Sequence, residues 1–354
     1  MKRIILTGGG TAGHVTPNIA LLPRLRLAGY DIAYIGSRDG IEKKLIEAQK
    51  VPYYGISSGK LRRYFDWKNF TDPFRVIRGF SEASSLMKTL KPDVVFSKGG
   101  FVSVPVVMAA RRHHIPVICH ESDLTPGLAN QLSMPAAPRI CCNFPETVQY
   151  LPKEKAGLTG CPIRRELMVG NRTSALTLTG FVPDRPVMLV MGGSLGAAAV
   201  NEAVRDALPD LLKRWQIVHL CGKGKVDETL QGQKDYIQYE YIQKELPDLF
   251  ALCDLVISRA GANAICELLA LRKPSLLIPL SAKASRGDQV LNARSFERQG
   301  FSMVLEEEEL TRETLLDAVR RLSEHRQDYI HAMESCPQSD AVGTILGLIG
   351  EVIR

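Results

Sequence analysis

The sequence of 354 residues has no long hydrophobic run, no closely paired cysteines and no metal-binding signature. Its apolar runs stay well short of the roughly 18 residues that a transmembrane helix needs, so we expect no membrane span. The opening residues, MKRIIL, lead directly into glycines, which argues against the apolar core of a signal peptide. The eight cysteines form no C-x-x-C pair and show no Cys/His zinc spacing. We therefore expect reduced, buried thiols in a cytosolic protein.

Several short catalytic signatures are also missing. The chain contains no D-x-D pair, no H-E-x-x-H motif and no G-K-[ST] phosphate loop. These absences argue against a metal ion held by an acidic pair, against the zincin proteases and against the P-loop nucleotide hydrolases. An enzyme that handles a diphosphate without an acidic pair has to use helix dipoles, backbone amides and arginine instead. We therefore expect no metal ion in the site.

The composition is that of a globular protein, with 45% hydrophobic and 23% charged residues, and the length favours two domains over one core. The net charge of +7 is unevenly distributed. Residues 1–158 carry 22 Lys and Arg against 12 Asp and Glu, and the remainder carries 23 against 26. The basic half indicates phosphates, nucleic acid or an anionic membrane surface as a partner, or simply a solvated basic face.

Short β-rich runs alternate with amphipathic stretches of helix length. This alternation predicts an α/β protein with doubly wound parallel sheets flanked by helices. The first helix is expected to have Thr16 as its cap, Pro17 at its first position and Gly29 at its end. The predicted strands are Arg3–Thr7, Ile32–Ile35, Val94–Ser97, Val117–His120, Val187–Met191, Ile217–Leu220, Leu255–Ser258 and Ser275–Ile278.

The order of strand, glycine loop and helix occurs twice, at residues 3–27 and again at 187–213. A section rich in proline and glycine, roughly residues 151–186, lies between them, so we place the domain junction near residue 160. The predicted architecture is two doubly wound domains that face each other across a cleft. Open parallel sheets bind ligands beyond the carboxyl ends of their strands, so both glycine loops are expected to line that cleft.

The first glycine loop, TGGGTAGHVTP at residues 7–17, contains the G-x-G-x-x-G pattern of dinucleotide-binding proteins. An NAD site would require an acidic residue at the end of the second strand, which here ends in Ser37 and Arg38. The NAD interpretation is therefore disfavoured. The loop amides at a helix N-terminus still favour an anion, and His14 is a candidate general base there, or else a capping or packing residue.

Five further segments carry polar residues at strand ends or helix starts. Each alone has an ordinary structural explanation, such as a tight turn or a solvated helix face. Together they offer amides and arginine for a diphosphate, a carboxylate for a ribose diol, and amides for sugar hydroxyls. The segments are CHESDLTPGLAN at 119–130, TGCPIRREL at 159–167, MGGSLGA at 191–197, ISRAGANAICELLAL at 257–271 and SRGDQVLNA at 285–293.

Taken in order, these motifs resemble the MurG family, the N-acetylglucosaminyltransferases that convert lipid I to lipid II in peptidoglycan synthesis. The resemblance spans nearly the whole chain and rests on GGTAGH at 9–14, SKGGFVSVP at 97–105, HESDLTPG at 120–127, GCPIR at 160–164, GGSLGA at 192–197, SRAGANAICE at 258–267 and RGDQVLNA at 286–293. It implies the GT-B fold, with an N-terminal acceptor domain at 1–159 and a C-terminal donor domain at 160–335. The last segment, 336–354, would form a helix that packs back on the N-terminal domain.

The resemblance also implies the substrates and their contacts. UDP-N-acetylglucosamine (UDP-GlcNAc) is the donor and lipid I the acceptor, and the reaction inverts the anomeric centre without a cofactor. His14 would take the proton of the muramyl 4-hydroxyl, while Glu121 or Asp123 would orient His14 or replace it. The implied substrate-binding residues are Thr11, Ala12, Gly13, Arg164, Ser194, Ile242, Ala262, Asn263, Glu267 and Gln289.

The chain departs from the family pattern at three of these motifs. Ala12 replaces a glycine in the first loop, and its methyl group disfavours a positive φ. Asp123 stands where an asparagine usually contacts the donor. Leu195 replaces a glutamine in the second glycine loop, which removes an amide donor.

Residues 60–80 combine six Lys and Arg with several aromatic side chains against two Asp. This composition predicts a patch that binds an anionic membrane surface, although a core helix with a basic face would have the same composition. The resemblance places the protein peripherally at the cytoplasmic face of the cell membrane, with cell-wall synthesis and division proteins as partners. Two rivals stay open: another UDP-sugar enzyme of the same fold, such as an epimerase, and a nucleic-acid-binding protein, which would leave the glycine loops unexplained.

Overall fold

A computed structural model of the chain describes residues 1–59, 68–193, 196–283, 285–336 and 340–353, with side chains from residue 74 onward in the helix that begins at residue 68. The chain divides into two compact units. Unit 1 is Met1–Arg164 together with Ser339–Arg354, and unit 2 is Arg165–Gln338.

Unit 1 contains a parallel sheet of seven strands in the order β3-β2-β1-β4-β5-β6-β7. The strands are β1 Arg3–Thr7, β2 Asp31–Ser37, β3 Tyr53–Ile56, β4 Val94–Ser97, β5 Val117–Glu121, β6 Arg139–Cys142 and β7 Ala156–Leu158. The helices are α1 Thr16–Leu27, α2 Ile41–Glu47, α3 Lys68–Leu90, α4 Ser103–Arg112, α5 Leu128–Ser133 and, from the end of the chain, α13 Ala341–Val352.

The central strands of unit 1 are apolar on both faces because helices cover both sides of the sheet. Residues 4–6 of β1 and 94–96 of β4 are fully buried. On one face, Leu21 and Leu25 of α1 pack in the same core cluster as Ile345 and Ile349 of α13. The segment at the end of the chain thus completes the core of unit 1.

Helix α1 ends as its sequence predicts and begins one residue earlier than expected. The Gly29 N–H donates to the Arg26 carbonyl at 3.0 Å and the Tyr30 N–H to the Leu25 carbonyl at 3.1 Å, with Gly29 at a φ of +75°. This pair of bonds is a Schellman motif. The prediction of Thr16 as cap was wrong: the cap is Val15 without a side-chain bond, and Pro17 is the second helical residue.

Unit 2 contains a second parallel sheet, of six strands in the order β10-β9-β8-β11-β12-β13. The strands are β8 Val187–Met191, β9 Gln216–Leu220, β10 Tyr236–Tyr239, β11 Leu255–Ser258, β12 Ser275–Leu277 and β13 Met303–Val304. The helices are α6 Arg172–Thr179, α7 Ala198–Leu211, α8 Leu246–Leu252, α9 Ala262–Ala270, α10 Asp288–Arg298, α11 Arg312–Glu324 and α12 Arg326–Ser335.

The strand order reverses direction at one place in each sheet, between β1 and β4 in unit 1 and between β8 and β11 in unit 2. The prediction of an α/β protein with two doubly wound parallel sheets is confirmed. Ligands of such sheets bind beyond the carboxyl ends of the strands at these switch points. The loops that follow these four strands are therefore where the functional residues are to be sought.

Candidate active site

Two glycine turns meet at the switch point of unit 1. The loop Gly8–Gly10 follows β1, and the turn Lys98–Gly100 follows the neighbouring strand β4. Gly10 and Gly100 have φ values of +87° and +83°, and a methyl group on Gly100 would overlap the carbonyl oxygen of Gly9. The sequence needs glycine here because one turn lies directly against the backbone of the other.

Two buried polar side chains, Tyr34 and Asn18, anchor the first glycine loop through hydrogen bonds. The Tyr34 hydroxyl donates to the Gly8 carbonyl at 2.7 Å, and the Asn18 amide donates to that hydroxyl at 3.2 Å. Burial raises the pKa of Tyr34 well above its usual value, so this hydroxyl stays protonated and remains a donor. The loop is thus fixed before any ligand arrives.

Glu42, in the first turn of α2, contacts the first glycine loop, and the sequence analysis did not identify it. Its side chain is fully buried, and it accepts hydrogen bonds from the Gly10 N–H at 3.3 Å, the Ser37 N–H at 3.0 Å and the Ser37 hydroxyl. A methyl group on Gly9 would overlap its carboxylate. A protein carboxylate therefore fills part of the space beside the glycine loop, where a dinucleotide fold would place its ligand.

His14 ends a single turn of 3₁₀ helix, Ala12–His14, that connects the glycine loop to α1. Its side chain is half-buried, and its Nδ1 lies 3.0 Å from the hydroxyl of the exposed Thr11. Ala12 is not among the residues with a positive φ, so alanine fits this turn without backbone strain. Thr11, Ala12, Gly13 and His14 thus lie together at the carboxyl end of β1.

Glu121 closes the turn that follows β5. The residue is 4% exposed, and its carboxylate accepts from the backbone N–H groups of Ser122, Asp123 and Gly127 at 2.8–3.0 Å and from the Asn130 amide at 2.8 Å. Burial is the largest cause that raises the pKa of this carboxyl above its usual value. These four bonds fix the turn that carries Asp123. Asp123, next in this turn, is half-buried.

Arg164 is the last residue of unit 1 before the division of the chain. It follows a tight turn after β6 and β7, where the backbone N–H groups of Thr159 and Gly160 both donate to the Cys142 carbonyl at 3.1 Å. Its side chain is half-buried.

The second glycine loop follows β8 at the switch point of unit 2. Gly193 and Gly196 have φ values of +83° and +68°, and the Gly196 N–H donates to the Gly193 carbonyl at 2.9 Å. A methyl group on Gly196 would overlap the Cys221 carbonyl oxygen. The predicted phosphate contact Ser194 and the substituted Leu195 lie outside the described residues.

The neighbouring strand β11 leads into α9, whose first residue is the buried Ala262. Asn263 and Glu267 are half-buried on this helix. Arg259 anchors the connection: its guanidinium donates to the carbonyls of Ile278 and Pro279 at 3.1 and 3.2 Å and forms an ion pair with Glu307. The residues that lead into α9 are therefore bonded to the segment that follows β12.

The two remaining predicted residues also belong to unit 2. Gln289, at the start of α10, accepts the Leu280 N–H at 3.0 Å through its Oε1, which leaves its Nε2 as the group that can donate to a ligand. Ile242 is 8% exposed in the segment that follows β10.

The predicted site residues thus fall into two groups, one in each unit. Unit 1 carries Thr11–His14 at the carboxyl end of β1 and Glu121 and Asp123 at that of β5, two strands on either side of β4, with Arg164 at its boundary. Unit 2 carries Ile242, Ala262–Glu267 and Gln289. In the parts of the chain that the structure describes, no three His, Cys, Asp or Glu side chains are grouped in a way that could hold a metal ion.

Comparison with known proteins places the chain in a family. The model of the glycosyltransferase family 28 N-terminal domain matches residues 4–141, and that of the family 28 C-terminal domain matches residues 187–345. A relative from Lachnoclostridium phytofermentans is 64% identical over 352 residues, 99% of each chain. That relative is named UDP-N-acetylglucosamine--N-acetylmuramyl-(pentapeptide) pyrophosphoryl-undecaprenol N-acetylglucosamine transferase.

Solved structures show the same fold. The crystal structure of Acinetobacter baumannii MurG is 25% identical, with a TM-score of 0.77 over 99% of this chain and 100% of that one. A UDP-N-acetylglucosamine 2-epimerase, 15% identical with a TM-score of 0.70 over 99% of this chain and 95% of that one, shares the fold only. The chain therefore belongs to glycosyltransferase family 28 and, within it, to the MurG family.

Proposed function

We propose that this protein transfers N-acetylglucosamine from UDP-GlcNAc to the 4-hydroxyl of the muramyl sugar of lipid I, which gives lipid II for peptidoglycan synthesis. The observation that carries the proposal is the 64% identity, over 99% of both chains, to a relative named for this transfer. The reaction is a single displacement with inversion: the acceptor oxygen attacks the anomeric carbon, and UDP leaves.

We assign the general base to His14. For Nε2 to accept the proton of the acceptor hydroxyl, Nδ1 has to carry the hydrogen of the neutral ring. The Thr11 hydroxyl, 3.0 Å from Nδ1, is placed to accept that hydrogen and so to select the reactive tautomer. Glu121 then acts on the reaction indirectly, because its carboxylate is committed to the turn that carries Asp123.

We assign donor binding mainly to unit 2. The backbone of Ile242 would contact the uracil, Ala262, Asn263 and Glu267 would read the nucleoside with Glu267 on the ribose, and Gln289 would donate to the sugar hydroxyls. The charge that develops on the diphosphate would be stabilised by the amides of the second glycine loop, by Ser194 and by Arg164. This scheme requires no metal ion and no cofactor.

The acceptor carries a polyprenyl chain, so we propose that the protein works peripherally at the cytoplasmic face of the cell membrane, beside other cell-wall synthesis and division proteins. The described part of helix α3 supports a membrane-binding role for the 60–80 region, of which residues 60–67 lie outside the described residues. Phe74 and Ile77 are 75% and 66% exposed, and the neighbouring Arg75 and Arg78 are exposed as well. Apolar and basic side chains on one exposed segment are suited to an anionic lipid surface. Within the described residues, each helix is too short or too polar to cross a bilayer.

Vesicle sedimentation tests the membrane surface. Charge reversal at Arg62, Arg63, Arg75 and Arg78 should weaken binding to vesicles with anionic lipid and leave binding to neutral vesicles unchanged. Reversal of Arg214, Arg320, Arg321 and Arg326, which are exposed in unit 2, changes the net charge equally and is the matched control. Equal binding of the two variants would reject the patch.

Product analysis tests the transfer itself. The protein is incubated with labelled UDP-GlcNAc and a short-chain lipid I analogue, with and without a chelator. The proposal predicts β-linked disaccharide and UDP in both samples. Conversion of UDP-GlcNAc without acceptor would support the epimerase alternative, and salt-dependent binding of oligonucleotides without sugar transfer would support the nucleic-acid alternative.

A further inference from the structure

A buried lysine lies beneath the glycine turns of unit 1, and the mechanism above does not use it. Lys98, the first residue after β4, is 1% exposed. Its backbone N–H donates to the Thr7 carbonyl at 2.9 Å, and a methyl group on Gly8 would lie 3.1 Å from its Cβ. The lysine is thus built into the switch point at which β1 and β4 end.

Its ammonium group contacts one residue of β5, His120, and one residue of the turn that follows, Ser122. Nζ lies 2.7 Å from Nδ1 of His120 and 2.5 Å from Oγ of Ser122. The other ring nitrogen of His120, Nε2, lies 3.1 Å from the Gly160 carbonyl, which only accepts, so Nε2 carries the hydrogen. Nδ1 is therefore an acceptor, and Lys98 donates to both the imidazole and the serine.

Ser122 is left with a hydrogen to donate. The residue is 9% exposed, and its hydroxyl oxygen accepts from Lys98. Within the described chain, its own hydroxyl hydrogen has no protein acceptor among the contacts of this turn. An oxygen that already accepts from a cation makes its O–H a stronger donor, because the hydrogen bonds polarise one another.

We infer that Ser122 donates a hydrogen bond to a phosphate oxygen of a bound substrate, and that Lys98 positions its hydroxyl for this contact. Ser122 follows β5 directly, at the same end of the sheet as the two glycine turns of unit 1. A polarised hydroxyl beside a buried lysine favours an anionic oxygen over a neutral one. The inference rests on the proposed function, in which two substrates carry a diphosphate: the sugar nucleotide and the lipid acceptor.

Steady-state kinetics with each substrate varied in turn tests the contact. Ser122→Ala should raise one KM about ten- to a hundredfold with kcat within a few-fold, the range for losing a hydrogen bond to a charged group. A rise for the lipid I analogue assigns the contact to the lipid diphosphate, and a rise for UDP-GlcNAc assigns it to the nucleotide. Ser133→Ala, which removes another buried hydroxyl of unit 1, should change neither KM. If Ser122→Ala also changes neither, the inference is overturned.

A double-mutant cycle tests the role of Lys98. Lys98→Met should raise the same KM as Ser122→Ala. The KM of the double variant should not exceed that of the poorer single variant, because both changes remove the same contact, between Ser122 and the phosphate. A full additive loss would contradict the positioning role. If Lys98→Met does not fold, the Ser122→Ala result still decides the contact.

Calorimetric titration with UDP and with inorganic pyrophosphate separates this inference from the proposed function. Wild-type protein that binds either ligand but transfers no sugar would refute the proposed function alone. Ser122→Ala would then be judged by binding: weaker binding of that ligand supports the contact, and unchanged binding overturns it.

Discussion

The contact between the two glycine turns of unit 1 predicts different costs for two alanine substitutions. Gly10 and Gly100 have nearly equal φ values, +87° and +83°. A methyl group on Gly10 has nothing within 4 Å, whereas one on Gly100 overlaps the Gly9 carbonyl oxygen. Gly10→Ala therefore measures backbone strain alone, and Gly100→Ala adds a steric clash with a backbone atom that cannot rotate away.

The magnitudes follow from these two contributions. Holding alanine in the left-handed region costs about 1–2 kcal/mol, and the stiffer unfolded chain returns about 0.4–1 kcal/mol in both variants. Overpacking adds about 1–3 kcal/mol for Gly100→Ala. We expect the free energy of unfolding of unit 1 to fall by roughly 0–1.6 kcal/mol for Gly10→Ala and by about 1–3 kcal/mol more for Gly100→Ala.

Urea-dependent hydrogen exchange measures this difference in unit 1 separately from unit 2. Mass spectrometry of peptides from β1 and β4 gives the opening free energy of their amides. Equal losses in the two variants, or a larger loss for Gly10→Ala, would refute the close approach of the two turns.

The other described contacts support three more predictions. Glu42→Gln should lower the free energy of unfolding of unit 1 by about 1–3 kcal/mol, because a buried carboxylate that accepts from Gly10 and Ser37 is replaced by an amide. Hydrogen exchange of peptides that span residues 8–10 and 37 measures this loss. An unchanged exchange rate would contradict these hydrogen bonds. Burial lowers the pKa of His219 in unit 2 to about 3, so the unfolded state gains a proton as the pH falls below about 6.5 while the folded state does not. The stability present above about pH 6.5 is therefore lost on acidification, by roughly 2 kcal/mol at about pH 5. His219→Asn should flatten the pH dependence of unit 2 stability, and an unchanged slope would show that His219 is not buried in its neutral form. Under the proposed function, Glu267→Gln should raise the KM for UDP-GlcNAc about tenfold or more and leave the KM for the lipid analogue unchanged, because a carboxylate that accepts from the ribose hydroxyls is lost. Glu202→Gln, on the exposed face of α7, is the control. Equal KM values for UDP-GlcNAc in the two variants would contradict the ribose contact.

The sequence predicts those parts of the fold that have a strong local pattern. Fully apolar strands such as β1 and β4 are recognisable because both their faces are buried. The prediction lacks five strands. Strands β3, β7 and β10 have mostly half-buried or exposed residues, β13 has only two residues, and β6 has four, of which three are buried. Such strands form because a neighbouring strand offers hydrogen bonds, and no local pattern records that.

Some residues of the candidate site are predictable from the sequence, and others are not. His14 and the glycines stand out because motif spacing fixes them relative to a strand and a helix. Glu42 and Lys98 are single charged residues whose burial depends on contacts across the sheet, to Gly10 and Ser37 for one and to His120 and Ser122 for the other. Their partners lie up to 32 positions away, so the sequence carried no signal for these pairings.

In the proposed mechanism, His14 deprotonates the acceptor hydroxyl during sugar transfer. The most direct measurement is the turnover of His14→Ala with labelled UDP-GlcNAc and a lipid I analogue, both at saturation. If His14 is the general base, its loss lowers kcat by about 10²–10⁴-fold relative to the wild type, and the affinity for UDP is retained. A His14→Ala protein that turns over at close to the wild-type rate would contradict this role.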